Sequence, residues 1–157
     1  MPVAVSVSTK FKTEQTLGMD LDKDINYDLL TLVNMLLHGS YQFMFLSALS
    51  KKFDLDGFVW ATKEKDKKCK DSVSLILDLI TENGGFIELA EVAEPKFVLS
   101  ELNPEFIVTR WDEVESWLKV KIEQILKKVG LSNYQKFQKN DILDILDSIL
   151  NNLFSYR

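Results

Sequence analysis

The sequence predicts an all-α fold: an up-down-down-up four-helix bundle with a long crossover between helices 2 and 3. Three observations predict it. Four segments repeat apolar residues at three- and four-residue steps, the period of an amphipathic helix. Only six glycines and three prolines stand in 157 residues, too little turn material for an all-β chain. A stretch holding Pro95 and lacking helical period separates the second segment from the third.

Taken in order, residues 1–22 alternate small and polar side chains without helical period and read as an arm before a bundle domain spanning 23–157. The first helix is expected from Lys23 to Leu49, where Leu29, Leu32, Val33, Leu36, Phe45 and Ala48 form a broad apolar face. Ser50 to Gly57 reads as a turn with helix-initiating aspartates. The second helix runs to Glu82. Its first half, around KEKDKKCKD, reads as a solvated charged face, and its second half, VSLILDLI, as core. Asn83-Gly84-Gly85 ends it, because glycine accepts the left-handed backbone of a helix C-terminus. Residues 86–102 form the crossover. Asn103-Pro104 then opens the third helix with a capping side chain and a proline at its first position. Ile107, Val114, Leu118, Ile122 and Ile125 give that helix its stripe, and Gly130 stops it. The fourth is expected from Asn140 to the end on Ile142, Leu146, Ile149 and Leu153.

Composition excludes some functional classes. A hydrophobic share of 46% and a charged share of 27% are ordinary for a folded domain. The net charge of -5 argues against nucleic acid as a partner. No uninterrupted apolar run reaches the roughly 18 residues of a membrane span, so no membrane role is expected. One cysteine, Cys69, excludes an internal disulfide framework and a cysteine-rich zinc site. If the chain is a full precursor it is expected in the cytoplasm, and if a signal peptide has been removed it is secreted.

Three stretches carry a family likeness. Val33-Asn34-Met35-Leu36-Leu37-His38-Gly39-Ser40-Tyr41 follows the pattern I-N-x-E-x-x-A-S-Y. Phe53-Asp54-Leu55-Asp56 follows F-D-x-D. Gly84-Gly85-Phe86-Ile87-Glu88-Leu89-Ala90-Glu91-Val92-Ala93-Glu94-Pro95 follows G-G-x-I-x-L-x-[DE]-[IV]-x-x-P. In this order, across residues 25–150, the chain resembles the ferritin family. The spacings differ: the chain is longer than that pattern between Tyr41 and Phe53 and shorter between Phe53 and Gly84. It also ends at Arg157, where a cage-forming ferritin continues into a short fifth helix, which makes the usual cage doubtful.

The resemblance implies a bundle, and it also implies a place to look for chemistry. Ferroxidase sites hold two iron ions with a glutamate from each of two helices and Glu-x-x-His pairing. The only histidine is His38, and Met35 precedes it by three residues, so the chain contains no Glu-x-x-His. Aligned on the family pattern, the ligand positions read Leu36, Cys69, Ser72 and Lys119, with Asn151 near the assisting glutamine and Phe43 in place of a tyrosine. Lys119 is expected to point inward with Leu36. A leucine and a lysine do not bind iron, so the expected chain is not a ferroxidase. Mineral nucleation is not expected either. The segment Lys63–Asp71, which would supply it, holds five lysines against three acids.

Asp141 and Asp144 fall near the carboxylates that line ferritin's iron-entry channel, with Asp147 three residues on. As a plainer reading, they are acids at the start of a helix, favoured by its dipole. Cys69 reads as a small half-buried thiol, His38 as a packed core or interface residue, and Trp60, Trp111, Trp117 and Phe58 as core or subunit contacts. The expectation is a ferroxidase-inactive ferritin-like subunit, forming a homo-oligomeric shell or co-assembling with active ferritin subunits in an indirect iron-storage role. No cofactor of its own is expected; iron would enter only by co-assembly or through the channel acids. The alternative is a structural, chaperone-like or small-ligand-binding protein on the same fold.

Overall fold

The computed structural model describes residues 3–5, 21–89, 102–132 and 136–154, with backbone alone at 3–5, 89, 136 and 137. Four helices make up nearly all of it: α1 (Lys23–Lys52), α2 (Asp56–Glu82), α3 (Pro104–Gly130) and α4 (Lys136–Phe154). Two three-residue strands, β1 (Val3–Val5) and β2 (Ile87–Leu89), pair antiparallel with Val3 opposite Leu89. The arm is therefore tied down at Val3–Val5, which its alternating sequence did not announce. The remainder of the arm and the crossover from Ala90 to Glu101, Pro95 included, lie outside the described residues.

Local chemistry fixes the helix ends. The Asp22 carboxylate accepts from the Ile25 backbone N–H at 3.2 Å and caps α1. Asn103 caps α3 in the same way through the Phe106 N–H at 3.1 Å, with Pro104 behind it. The first turn is tighter than its sequence suggested. α1 continues to Lys52 and α2 begins at Asp56, leaving Phe53–Leu55 between them with Asp54 at φ 57°. The fourth helix starts at Lys136, four residues before the expected Asn140.

Each helix contributes one buried stripe. Leu29, Leu32, Leu36, Phe43 and Leu46 of α1 meet Ile76, Leu79 and Ile80 of α2, Val114, Leu118 and Ile122 of α3, and Ile142, Leu146 and Ile149 of α4 in one cluster. α1 packs on α2 and α3, and α4 packs on the same two helices. The four helices thus enclose a shared apolar interior, the condition under which helices of this length are stable in water. By length and mean hydropathy α1 also passes the test for a membrane span, but 56% of its apolar window is buried in the bundle, and that burial accounts for its composition. On the outer side of α1, Asp28 receives Lys128 at 2.8 Å and Lys121 at 3.3 Å from α3. Partial burial pushes the Asp28 carboxyl up, but the two lysines together outweigh it and hold the group below the usual carboxylate range.

A polar clasp holds the end of the bundle where α1 begins and α2 ends. Asn26 is fully buried; its amide donates to the Phe86 carbonyl at 3.0 Å and accepts from the Phe86 N–H at 2.9 Å. Leu21 N–H donates to Asn83 O at 2.8 Å beside it. Gly84 adopts φ 71°, as the C-terminal glycine signal anticipated. Gly85 serves a different need: a Cβ there would lie 2.2 Å from Asn26 Oδ1 and 2.7 Å from Ile80 Cγ2. Gly85→Ala is therefore expected to cost about 2–3 kcal/mol through overpacking against a fixed amide. The measurement is the urea midpoint at unchanged m-value; a midpoint equal to wild type would refute the steric role.

Candidate functional site

Buried polar side chains are spread along the bundle, Asn26, Ser40, Gln42, Ser50 and Thr62 among them, and the family resemblance directs attention to the surroundings of Leu36, Cys69 and Ser72. On α2 the inward stripe runs Thr62, Lys65, Cys69, Ser72, Ile76. Leu36, Cys69 and Ser72 are all fully buried. A Cβ on Gly39, one turn after Leu36, would stand 3.7 Å from the Cys69 sulfur and 3.4 Å from both Leu118 and Val114. These are ordinary packing distances, so α1 meets α2 and α3 in van der Waals contact at this point.

Lys119 does not join this group. It is exposed, and the residue before it, Leu118, fills the interior instead. The inward placement expected from the motif alignment is thus off by one residue, a 100° rotation on a helix. Asn151 is likewise exposed. Ser72 is buried, but its hydroxyl donates to the Lys68 carbonyl of its own helix at 2.8 Å. That bond satisfies the hydroxyl locally and leaves it aimed along the helix.

The residue that sequence reasoning missed is Lys65. Its place in a charge run suggested a solvated face, yet only 6% of it is exposed. Its ammonium bonds the Glu115 carboxylate of α3 at 2.6 Å and donates to the Leu153 carbonyl near the end of α4. The Trp111 and Phe154 rings lie 5.4 and 5.2 Å from the charge, within cation–π range. Trp111 in turn meets Phe43 of α1 edge-on at 5.1 Å. All four helices converge here. The legible signal was spacing, because Lys65 lies three residues after Thr62 and four before Cys69, on the inward stripe.

The polar groups here are the Lys65 ammonium, the Glu115 carboxylate bonded to it, the Cys69 thiol, the Ser72 hydroxyl, and the Asp66 carboxylate bonded to the Ser40 hydroxyl. That set does not fit a pair of iron ions, which need several hard anionic oxygens and an imidazole, and a fixed ammonium repels a cation. No group of three or more histidine, cysteine or acidic residues suited to a metal occurs among the described residues. Cys69 is a poor nucleophile: burial, with lesser help from Asp66 and Glu115 and against the pull of Lys65, pushes its thiol up to about 12. Beside it, Ser40 of α1 donates to the Asp66 carboxylate of α2.

Other expected residues lie at the surface. Asp141, Asp144 and Asp147 are exposed on α4, and Asp141 accepts from the Asn83 amide at 3.4 Å. Because α4 begins at Lys136, none of the three stands in its first turn, so the dipole explanation for them fails. His38 is half-buried, 3.2 Å from the Gln42 amide nitrogen and 6.0 Å from the Trp117 ring. Near it a groove of about 320 Å³ runs between α1 and α3, floored by Met35, Trp117 and Val120. Trp60 is 69% exposed, against the core packing expected of it.

Compared with known proteins, the chain matches no family model, no curated protein and no solved structure.

Two outcomes are expected from this geometry. Lys65→Ala and Glu115→Ala each leave a charge without its partner inside the bundle and should each cost about 3 kcal/mol, whereas Lys65→Met with Glu115→Leu should recover most of the loss. A double-mutant cycle by chemical denaturation reads the coupling, and additive losses would show that the pair does not act as a unit. The Cys69 thiol should resist alkylation at pH 8 until the protein unfolds, with labelling tracking the unfolded fraction across a urea series. Stoichiometric labelling of folded protein would contradict its burial.

Proposed function

We propose that this chain is a ferritin-like bundle without ferroxidase activity, working as a non-enzymatic, self-assembling structural subunit. The observation that carries the reading is the Lys65–Glu115 pair, a charge couple in the helix-bundle interior one turn of α2 from Cys69. A site built for paired cations would need anions there. This chain places a cation there and satisfies it from three sides.

The ferritin-like, up-down-down-up course of the helices is part of the proposal. Asn26 meets Phe86 while Ser40 meets Asp66, so α1 and α2 oppose one another in direction. Phe43 meets Trp111 while Asp28 meets Lys128, which gives the same relation between α1 and α3. Lys65 meets Leu153 while Asn83 meets Asp141, which gives it between α2 and α4. Helices α2 and α3 then run the same way, and the chain between Leu89 and Leu102 is the crossover this requires. The three sequence motifs point to the same arrangement.

Adding ferrous iron in air to the isolated chain is expected to produce no diiron absorbance and no oxidation faster than buffer alone. A diiron band would sink the proposal. Light scattering with metal analysis is expected to give a metal-free species larger than one chain. Iron bound in a large hollow particle would shift the reading to indirect iron storage beside active subunits.

A further inference from the structure

We infer that the groove between α1 and α3 is a binding site for a small, uncharged, planar heteroaromatic compound that lies against Trp117. The inference stands apart from the assembly reading: it uses no residue of α2 and does not depend on whether the chain associates.

The groove holds about 320 Å³ and is lined by Met35 of α1 and by Ser116, Trp117, Val120, Lys121 and Gln124 of α3. That volume stands at the small end of ligand sites and suits a compound of about two fused rings. Its apolar wall is open to solvent, with Trp117 41% and Val120 49% exposed. The His38 ring lies beside Trp117 at 6.0 Å, tilted by 33°, and restrains the indole. Met35 adds a polarizable thioether, which adapts to the edge of an aromatic ring. Ser116 and Gln124 stand about 12 Å apart along α3 at 1.5 Å per residue. Neither side chain makes a hydrogen bond or ion pair among the described residues. A flat ligand on Trp117 therefore has a hydroxyl toward one end and a carboxamide toward the other, both without a partner in the chain.

The surrounding charges select an uncharged occupant. From Leu29 to Ser50, α1 carries no Asp, Glu, Lys or Arg, so its wall of the groove offers no formal charge to an ion. Lys121 is the one charged lining residue, and its ammonium is bonded to Asp28 at 3.3 Å. Lys128 binds the same carboxylate at 2.8 Å, with Asp22 and Asp24 near enough to act on it. Glu113 faces Arg110 at 3.7 Å, and Glu123 and Lys127 stand one i,i+4 step apart beyond Val120. Glu115 is taken by Lys65, and Lys119 lies about 200° round α3 from Trp117. Neither sign dominates, so an anion or a cation entering the groove would lose hydration without gaining an unspent counter-charge. A neutral aromatic ring loses little and gains the Trp117, Val120 and Met35 surfaces.

The test titrates indole-3-carboxamide into the isotope-labelled full chain and follows the indole N–H resonances of Trp60, Trp111 and Trp117, assigned by single Trp→Phe variants. The Trp117 resonance is expected to move saturably, while that of Trp60, the more exposed ring at 69%, stays in place. Indole-3-carboxylate and 3-(aminomethyl)indole, an anion and a cation on the same ring, are expected to bind about fivefold more weakly or worse. Val120→Arg puts a guanidinium across the groove from an exposed position and is expected to weaken binding about tenfold or more, with the circular dichroism spectrum and melting temperature unchanged. No movement at Trp117, equal movement at Trp60, a charged analogue that binds as tightly as the carboxamide, or a Val120→Arg chain that binds like wild type would each overturn the inference. A monomeric chain that binds the carboxamide at Trp117 would support it while removing the assembly reading.

Discussion

A lysine ammonium inside a helical bundle has to be satisfied on every side, and the way Lys65 is satisfied organises this molecule. Its charge takes a carboxylate from α3, a carbonyl from the last turn of α4, and the faces of Trp111 and Phe154. Trp111 carries the contact onward to Phe43 of α1. Desolvating such a pair is costly, and its net effect on stability is small next to the cost of breaking it. What the pair supplies is register. Only one sliding position of α2 against α3 and α4 brings Lys65 to Glu115 and to Leu153 together, whereas leucine and isoleucine stripes tolerate several.

The opposite end of the bundle is held by backbone. Asn26 mimics a peptide group and pairs with both polar atoms of Phe86, so the chain leaving α2 is fixed to the start of α1 before it enters β2. Gly85 permits this only because it has no Cβ. The β1–β2 ribbon continues the same junction and brings the N-terminal residues Val3–Val5 to it. One region is therefore held by the Lys65–Glu115 pair, and the end at Asn26 by hydrogen bonds together with the ion pairs of Asp28 to Lys121 and Lys128.

Within this division, the motif stretches have structural reasons of their own. The glycine pair at 84–85 and the apolar spacing of α1 have local steric and packing reasons that hold whether or not metal is bound. Leu36, Cys69 and Ser72 are fully buried in the bundle, with the Lys65–Glu115 pair one turn of α2 from Cys69.

Sequence by itself determined the four helices, the Asn103-Pro104 start, the Gly84 stop and the apolar stripes. Each follows from interactions within a few residues or from a 3.6-residue period. Tertiary structure decided the rest. Lys65 sits in a run of like-looking charges, and only its partners on α3 and α4 show that it points inward. Lys119 and Leu118 differ by one position, and the motif alignment across a crossover of uncertain length could not choose between them. The start of α4 at Lys136 and the exposure of Trp60 are likewise not encoded locally. Which face of a helix turns inward depends on what other helices bring to it, and a charge will follow its partner against its own hydration when the partner is fixed in place.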